Sequence, residues 1–214
     1  MKQFVVIGCG RFGSSVAENL YNLGHDVMAI DYSQETVQNL SDKVTHVVQA
    51  DATDEHALKS LGIRNFDVAI ITIGSNIQSS IMTTLIVKEL GVKYVVAKAQ
   101  NEVHAKVLYK IGADRVVFPE RDMGMRVAHN LVASNILDYI ELSPEYSIME
   151  ITALKEWNKK SLSNLNIRSK YGINIVAIKQ EDNIKISPNA QDIIHEGDIL
   201  VGIGRNNDLR KLER

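Results

Sequence analysis

Short apolar runs alternate with amphipathic stretches through the first half of the chain. The runs are Phe4–Ile7, Val27–Ile30, His46–Gln49, Val68–Ile73, Tyr94–Ala97 and Arg115–Phe118. They are apolar on both faces of an extended backbone, as strands are when helices cover both sides of a sheet. Between them, Ser14–Leu23, Ser33–Leu40, Thr53–Leu61, Ile77–Leu90 and Glu102–Ile111 read as helices. Gly24, Gly62, Gly91 and Gly112 each follow such a stretch, where a left-handed residue ends a helix. Strands separated by helical patterns of this length predict βαβ units and a parallel sheet. Residues 1–118 are therefore expected to form a Rossmann-type, doubly wound α/β domain.

The rhythm then changes. Pro119 suits the first turn of a helix, and Val127, Leu131 and the pair Ala128/Val132 recur at helical spacing. Two readings of 119–138 stand: an ordinary packed helix, which the pattern alone favours, and a crossover linking two lobes or two subunits. From 139 to 214 no βαβ unit recurs. Ser147–Leu154, Ile173–Ile178, Ile184–Ile186 and Ile199–Ile203 read as strands, with Asp182-Asn183 as a hairpin turn. Leu162–Ile167 reads as a short turn or helix. This predicts a small α+β C-terminal lobe.

Composition narrows the function classes. The chain has 214 residues, 45% hydrophobic and 23% charged, with a net charge of −2. No basic excess points to nucleic acid. One cysteine, Cys9, makes no internal disulfide framework and fits a reducing compartment. No run of about 18 uncharged apolar residues, the length that spans a bilayer, occurs in the sequence. The expectation is a soluble intracellular protein that reaches a membrane only through a partner.

Candidate chemistry concentrates near the N-terminus, in VVIGCGRFGSSVA. Gly8, Gly10 and Gly13 form G-x-G-x-x-G directly after a strand and at the opening of a helix, the context that gives this motif meaning. Gly8 permits the tight turn, Gly10 lets backbone approach a pyrophosphate, and Gly13 lets helix and strand pack closely. The helix N-terminus offers unpaired N–H groups and a positive dipole end to phosphates. Asp31, 18 residues after Gly13, is near the spacing of a ribose-binding carboxylate; it would repel a 2′-phosphate. It also suits a turn or cap before Ser33–Leu40. Arg11 is placed either to clamp a terminal phosphate or as a surface residue at a helix start. Asp51 either faces the adenine or caps the helix beginning near Thr53. His25, His46, His56, His104, His129 and His195 are scattered, with no metal-ligand spacing and no nucleophile–base arrangement. A small NAD-dependent oxidoreductase is the alternative; it needs an acid/base group in a substrate lobe, for which His195 is the obvious candidate.

On VVIGCGRFGSSVAENL, MAIDYSQETV, LKSLGIRNFDVAIITIGSNIQSSIMTTLIVKELG, VAKAQN, KIGADRVVFPERDMG and IRSKYGINIVAIK, the chain resembles the KtrA/TrkA family. These are RCK (regulator of potassium conductance) subunits of bacterial Ktr potassium-uptake systems. The resemblance covers nearly the whole chain. It implies a non-enzymatic regulatory subunit, cytoplasmic and held at the inner face of the membrane by a KtrB-type potassium channel. It implies a homo-octameric ring built from dimers, with ATP activating and ADP inactivating, and NAD(H) as a further ligand. Carried over by motif, Gly8, Gly10, Arg11, Phe12 and Gly13 form the phosphate loop. Asp31 takes the ribose, and Asp51 and Ala52 lie near the adenine. Ile73, Gly74 and Asn76 close the crevice after the fourth strand, and Lys98 ends the fifth. Glu120 resembles the glutamate that approaches the terminal phosphate from a neighbouring subunit and holds a divalent cation or sodium. The resemblance also implies a cyclic di-AMP site in the C-terminal (TrkA-C) lobe, with Arg168 at a phosphate and Asn174 at the adenine or backbone. Ile167, Ile173, Ile175 and Pro188 would form its apolar walls; the residues alone read equally as core strand.

Overall fold

The six apolar runs form six strands of one parallel sheet in the computed structural model, which describes residues 1–132, 135–181 and 183–212. The chain divides into two compact units, Met1–Pro119 and Glu120–Arg214. In the first, the elements are β1 (Gln3–Ile7), α1 (Arg11–Asn22), β2 (Asp26–Asp31), α2 (Gln34–Leu40), β3 (His46–Gln49), α3 (Glu55–Ser60), β4 (Val68–Ile71), α4 (Ile77–Glu89), β5 (Tyr94–Lys98), α5 (Glu102–Lys110) and β6 (Arg115–Val117). The strand order is β3-β2-β1-β4-β5-β6, with every neighbouring pair parallel. Each glycine expected to end a helix has a positive φ, from 69° at Gly62 to 102° at Gly112.

Two apolar clusters sandwich this sheet. Ile7, Ile30 and Ile71 pack with Leu58 of α3, Val87 of α4 and Leu108 of α5. On the opposite face, Val6, Val27 and Ala29 pack with Ala17 of α1 and Leu40 of α2. Leu58 and Leu108 are fully buried, each contributing about 1.5–3 kcal/mol by removal from water. On the α1/α2 face an apolar groove of about 640 Å³ opens, lined by Phe4, Phe12, Val16, Ile70, Tyr94 and Val96 among others. The strand order reverses between β1 and β4. In open α/β sheets, the crevice for a ligand lies outside the carboxyl ends of the strands at such a point.

The second unit holds α6 (Pro119–Val132), β7 (Ile136–Ser143), β8 (Tyr146–Thr152), β9 (Lys160–Ser161), α7 (Leu162–Leu165), α8 (Ile167–Tyr171), β10 (Asn174–Gln180), β11 (Asn183–Ile186), β12 (Ile193–Ile194), β13 (Ile199–Arg205) and α9 (Asn206–Leu209). Its main sheet runs β11-β10-β13-β8-β7, antiparallel throughout, over a core that includes Met149, Ile151, Trp157, Ile178 and Leu200. Charge pairs brace it. Arg126 of α6 meets Asp138 of β7 at 2.5 Å, and the hydrogen bond from its guanidinium holds the Asp138 carboxyl below the ordinary carboxylate range. Lys179 of β10 meets Glu150 of β8 at 2.5 Å.

Three expectations are corrected. The fourth strand ends at Ile71, so Thr72 and Ile73 begin the crevice loop rather than extend the sheet. The helix after Pro119 ends at Val132, and Ile136–Ser143 is strand, not part of a crossover segment running to 138. ILDYIELS lacks clean alternation, with Ile136, Leu137 and Ile140 at helix-like spacing. Pairing decides the outcome: Tyr139 faces Met149 and Ile140 faces Ile148 across the β7–β8 hairpin. Finally, Asp51 does not cap the following helix. The N-cap of α3 is Asp54, whose carboxylate accepts from His56 N at 2.8 Å and Ala57 N at 3.3 Å. Of the expected hairpin turn, Asn183 opens β11, and Asp182 lies outside the described residues.

Candidate nucleotide site

Gly8 makes the turn out of β1 with φ of +88°. A Cβ there would lie 2.8 Å from Ile73 Cγ1 and 2.9 Å from Ile73 N, so the position excludes any side chain on two grounds. Its N–H donates to Ile30 O at 2.8 Å, which sets the loop against β2. Gly10 follows as the N-cap of α1, with no side-chain cap hydrogen bond. A Cβ at Gly10 would meet no atom within 4 Å. The space a side chain would take at this position is open, beside a helix start whose first-turn N–H groups lack intrahelical partners. Gly13 is the close-packing glycine: a Cβ on it would sit 2.3 Å from Gly8 O and 2.4 Å from Thr72 Oγ1.

Asp31 ends β2 beside this loop and is 8% exposed. Its Oδ2 accepts from Cys9 N at 2.6 Å and its Oδ1 from Ser33 N at 2.8 Å. Each carboxylate oxygen carries two lone pairs, so both can still accept a ribose hydroxyl. Asp31 thus organises the turn into α2 through Ser33 N and holds the glycine loop through Cys9 N. Cys9 is buried against Val6 O and Ile30 O. Burial pushes its thiol pKa up to about 12, which makes it a packing residue rather than a nucleophile.

Across the crevice, Asn76 caps α4, its Oδ1 accepting from Ser79 N at 3.0 Å. Lys98, at the end of β5, places Nζ 5.9 Å from the centre of the Phe12 ring, the range of a cation–π contact. The same Nζ would be 3.3 Å from a Cβ on Gly74. Asp51 accepts from Thr53 N at 2.9 Å and Thr53 Oγ1 at 2.7 Å; the Thr53 side-chain hydrogen bond holds its carboxyl below the ordinary range. Ala52 is buried, its carbonyl accepting from Thr83 Oγ1 at 3.0 Å.

The residues expected at a second ligand site all lie in the second unit. Ile167 and Ile173 are buried in its core, Ile175 and Pro188 are half-buried, and Arg168 and Asn174 are exposed. Glu120 also lies in that unit, exposed in the first turn of α6. Among the described residues, no group of three or more His, Cys, Asp or Glu is arranged to hold a metal ion.

Two crevice residues escape sequence reasoning. Thr72 is 6% exposed and donates through Oγ1 to Gly8 O at 2.5 Å. Gln100 donates through Nε2 to Gly74 O. The available signal was a lone hydroxyl at the carboxyl end of an otherwise apolar strand run, where ligand sites of such sheets lie.

A parallel sheet reversing at β1/β4, a glycine loop at a helix start and a carboxylate at the end of β2 define a Rossmann-type α/β unit. The chain belongs to the TrkA family: residues 4–119 match the TrkA-N domain and residues 147–214 the TrkA-C domain. It is 52% identical over 213 residues to Ktr system potassium uptake protein C of Bacillus subtilis, covering 100% of this chain and 96% of that one. It is 50% identical over 212 residues to Ktr system potassium uptake protein A of the same organism, covering 99% and 96%. A solved structure of the GsuK channel bound to NAD matches 99% of this chain and 38% of its own, with 27% identity and a TM-score of 0.55. Among the described residues no helix is long and apolar enough to cross a membrane.

Proposed function

We propose that this chain is the nucleotide-sensing regulatory subunit of a Ktr-type potassium-uptake system. In this reading it is a cytoplasmic ring of eight copies, built from dimers, that gates a KtrB-type membrane channel. ATP favours the active ring and ADP the inactive one. The observation that carries it is the open start of α1, with Gly10 uncapped and Asp31 fixed beside it at 2.6 Å from Cys9 N. The names of its relatives, potassium uptake proteins, supply the process. The NAD bound to the GsuK channel supports a nucleotide as the ligand class, with NAD(H) as an alternative occupant.

A ligand shifts a ring only by its difference in affinity for the two ring states. ATP and ADP differ by one phosphate, so whatever reads that phosphate sets the gate. Arg11, the first residue of α1, is the reader in this chain. Glu120 of a neighbouring copy adds a carboxylate of the oxygen-donor kind that divalent cations and sodium take. The apolar groove on the α1/α2 face and the exposed Met123, Met125 and Val127 of α6 supply surfaces that a ring of copies would bury. The C-terminal lobe takes cyclic di-AMP through Arg168 and Asn174, with Ile175 and Pro188 at the wall and Ile167 and Ile173 supporting it from the core.

Arg11→Ala is expected to weaken ATP binding about tenfold more than ADP binding, the loss of one charge-assisted contact to phosphate. Isothermal calorimetry with both nucleotides checks it; equal losses would remove Arg11 from the reader's role.

A further inference from the structure

One peptide of the glycine loop is held at both ends. The carbonyl of Gly8 accepts the hydroxyl proton of Thr72 at 2.5 Å, and the N–H of the same Gly8–Cys9 peptide is donated to Asp31 Oδ2 at 2.6 Å. Thr72 is itself fixed, its N–H donated to Ile7 O at 2.8 Å. A continuous chain therefore runs from the end of β4, through a single amide, to the carboxylate at the end of β2. Hydrogen bonds in such a chain polarise one another: a proton donated to the amide oxygen makes the amide N–H a better donor to the carboxylate. Thr72 and Asp31 are buried, at 6% and 8% exposed, as is Cys9, while Gly8 is half-buried.

We infer that Thr72 is a positioning residue for ribose recognition: its hydroxyl locks the Gly8–Cys9 peptide, and through it aims the Asp31 carboxylate at the sugar hydroxyls. The inference deepens the proposed nucleotide reading and rests on it. Thr72 Oγ1 lies against the first turn of α1, where a Cβ on Gly13 would come within 2.4 Å of it, and its own hydrogen bond goes to the loop carbonyl. Its effect passes through the orientation of Asp31, and sugar discrimination is the quantity it controls. A Thr72 that only filled space would affect stability and leave that discrimination intact.

The test measures binding of ATP and of 2′-deoxy-ATP to the full chain and to two variants. Thr72→Val removes the hydroxyl at nearly constant shape, and Thr72→Ser keeps it. The wild type is expected to prefer ATP over the deoxynucleotide by about tenfold, the worth of one hydrogen bond to a charged acceptor. Thr72→Val is expected to bring that preference below about threefold, and Thr72→Ser to retain it. If Thr72→Val does not fold, Thr72→Cys, with a side chain of similar size and a weaker donor, takes its place with the same expected direction. Variants lacking the hydroxyl that keep the full preference, whatever their stability, would overturn the positioning role and leave the nucleotide reading standing. A wild-type protein that binds both nucleotides equally would overturn the ribose role of Asp31, and this inference with it.

Discussion

Gly13→Ala is expected to destabilise the first unit by about 3 kcal/mol, the upper range for overpacking a filled site, and to abolish nucleotide binding. The added methyl would sit 2.3 Å from Gly8 O and 2.4 Å from Thr72 Oγ1. One obstacle is backbone, and the other is a hydroxyl already committed to Gly8 O. Neither swings away, so α1 must lift from β1. Lifting it displaces the amides of the first turn of α1 and breaks the packing of Ala17 against Val6 and Ala29. The midpoint of urea unfolding and calorimetric titration with ATP read the two losses together. Gly10→Ala provides the contrast. Gly10 has φ of −65°, open to any residue, and no atom within 4 Å of the new methyl. Its stability should be unchanged while its affinity falls, because the methyl occupies ligand space. If Gly13→Ala binds ATP like the wild type, the loop is not the phosphate site.

Asp31→Asn is expected to lower affinity for adenine nucleotides about 100-fold, about 2.8 kcal/mol at about 1.4 kcal/mol per tenfold. Two effects combine. The carboxylate accepts from both Cys9 N and Ser33 N; an amide offers one oxygen and one NH₂, so one backbone N–H would face another donor. A buried donor left unmatched costs about 1–3 kcal/mol, and here it sits in the loop that must hold its shape. The ribose hydroxyls also lose a charged acceptor. Calorimetry with ATP and ADP should find both weakened alike, since the sugar is common to them. An affinity within threefold of wild type would show that Asp31 only organises the turn.

Much of the first unit was legible because its central strands β1, β2 and β4 are largely buried. Continuous apolar runs then mark them with little competition, and the edge strand His46–Gln49, exposed at both ends, is also strand as read. The second unit was harder. An antiparallel sheet needs alternation to announce itself, and β7 has a mixed pattern that only its pairing with β8 resolves. The pair β9–β12, two residues on each side, joins Ser161 to Ile193, too short for any periodicity to register. At the site, the glycines and Asp31 were legible because their spacing follows one local fingerprint. Thr72 was not, because its partner Gly8 is 64 residues away and a lone hydroxyl at the end of an apolar run does not by itself name that partner. The same holds for Gln100, 26 residues from Gly74. The choice for Asp51 was also invisible: Asp51 and Asp54 are equally good caps by type, and only the backbone shows that Asp54 takes the role.

If phosphate number sets how neighbouring copies fit together, ATP and ADP give two different rings. Small-angle X-ray scattering on the purified full chain, saturated in turn with ATP and ADP and checked by native mass spectrometry, tests this most directly. The expected result is an eight-copy ring with both nucleotides and a reproducibly different scattering profile for each. Superimposable profiles at full occupancy of both would contradict it.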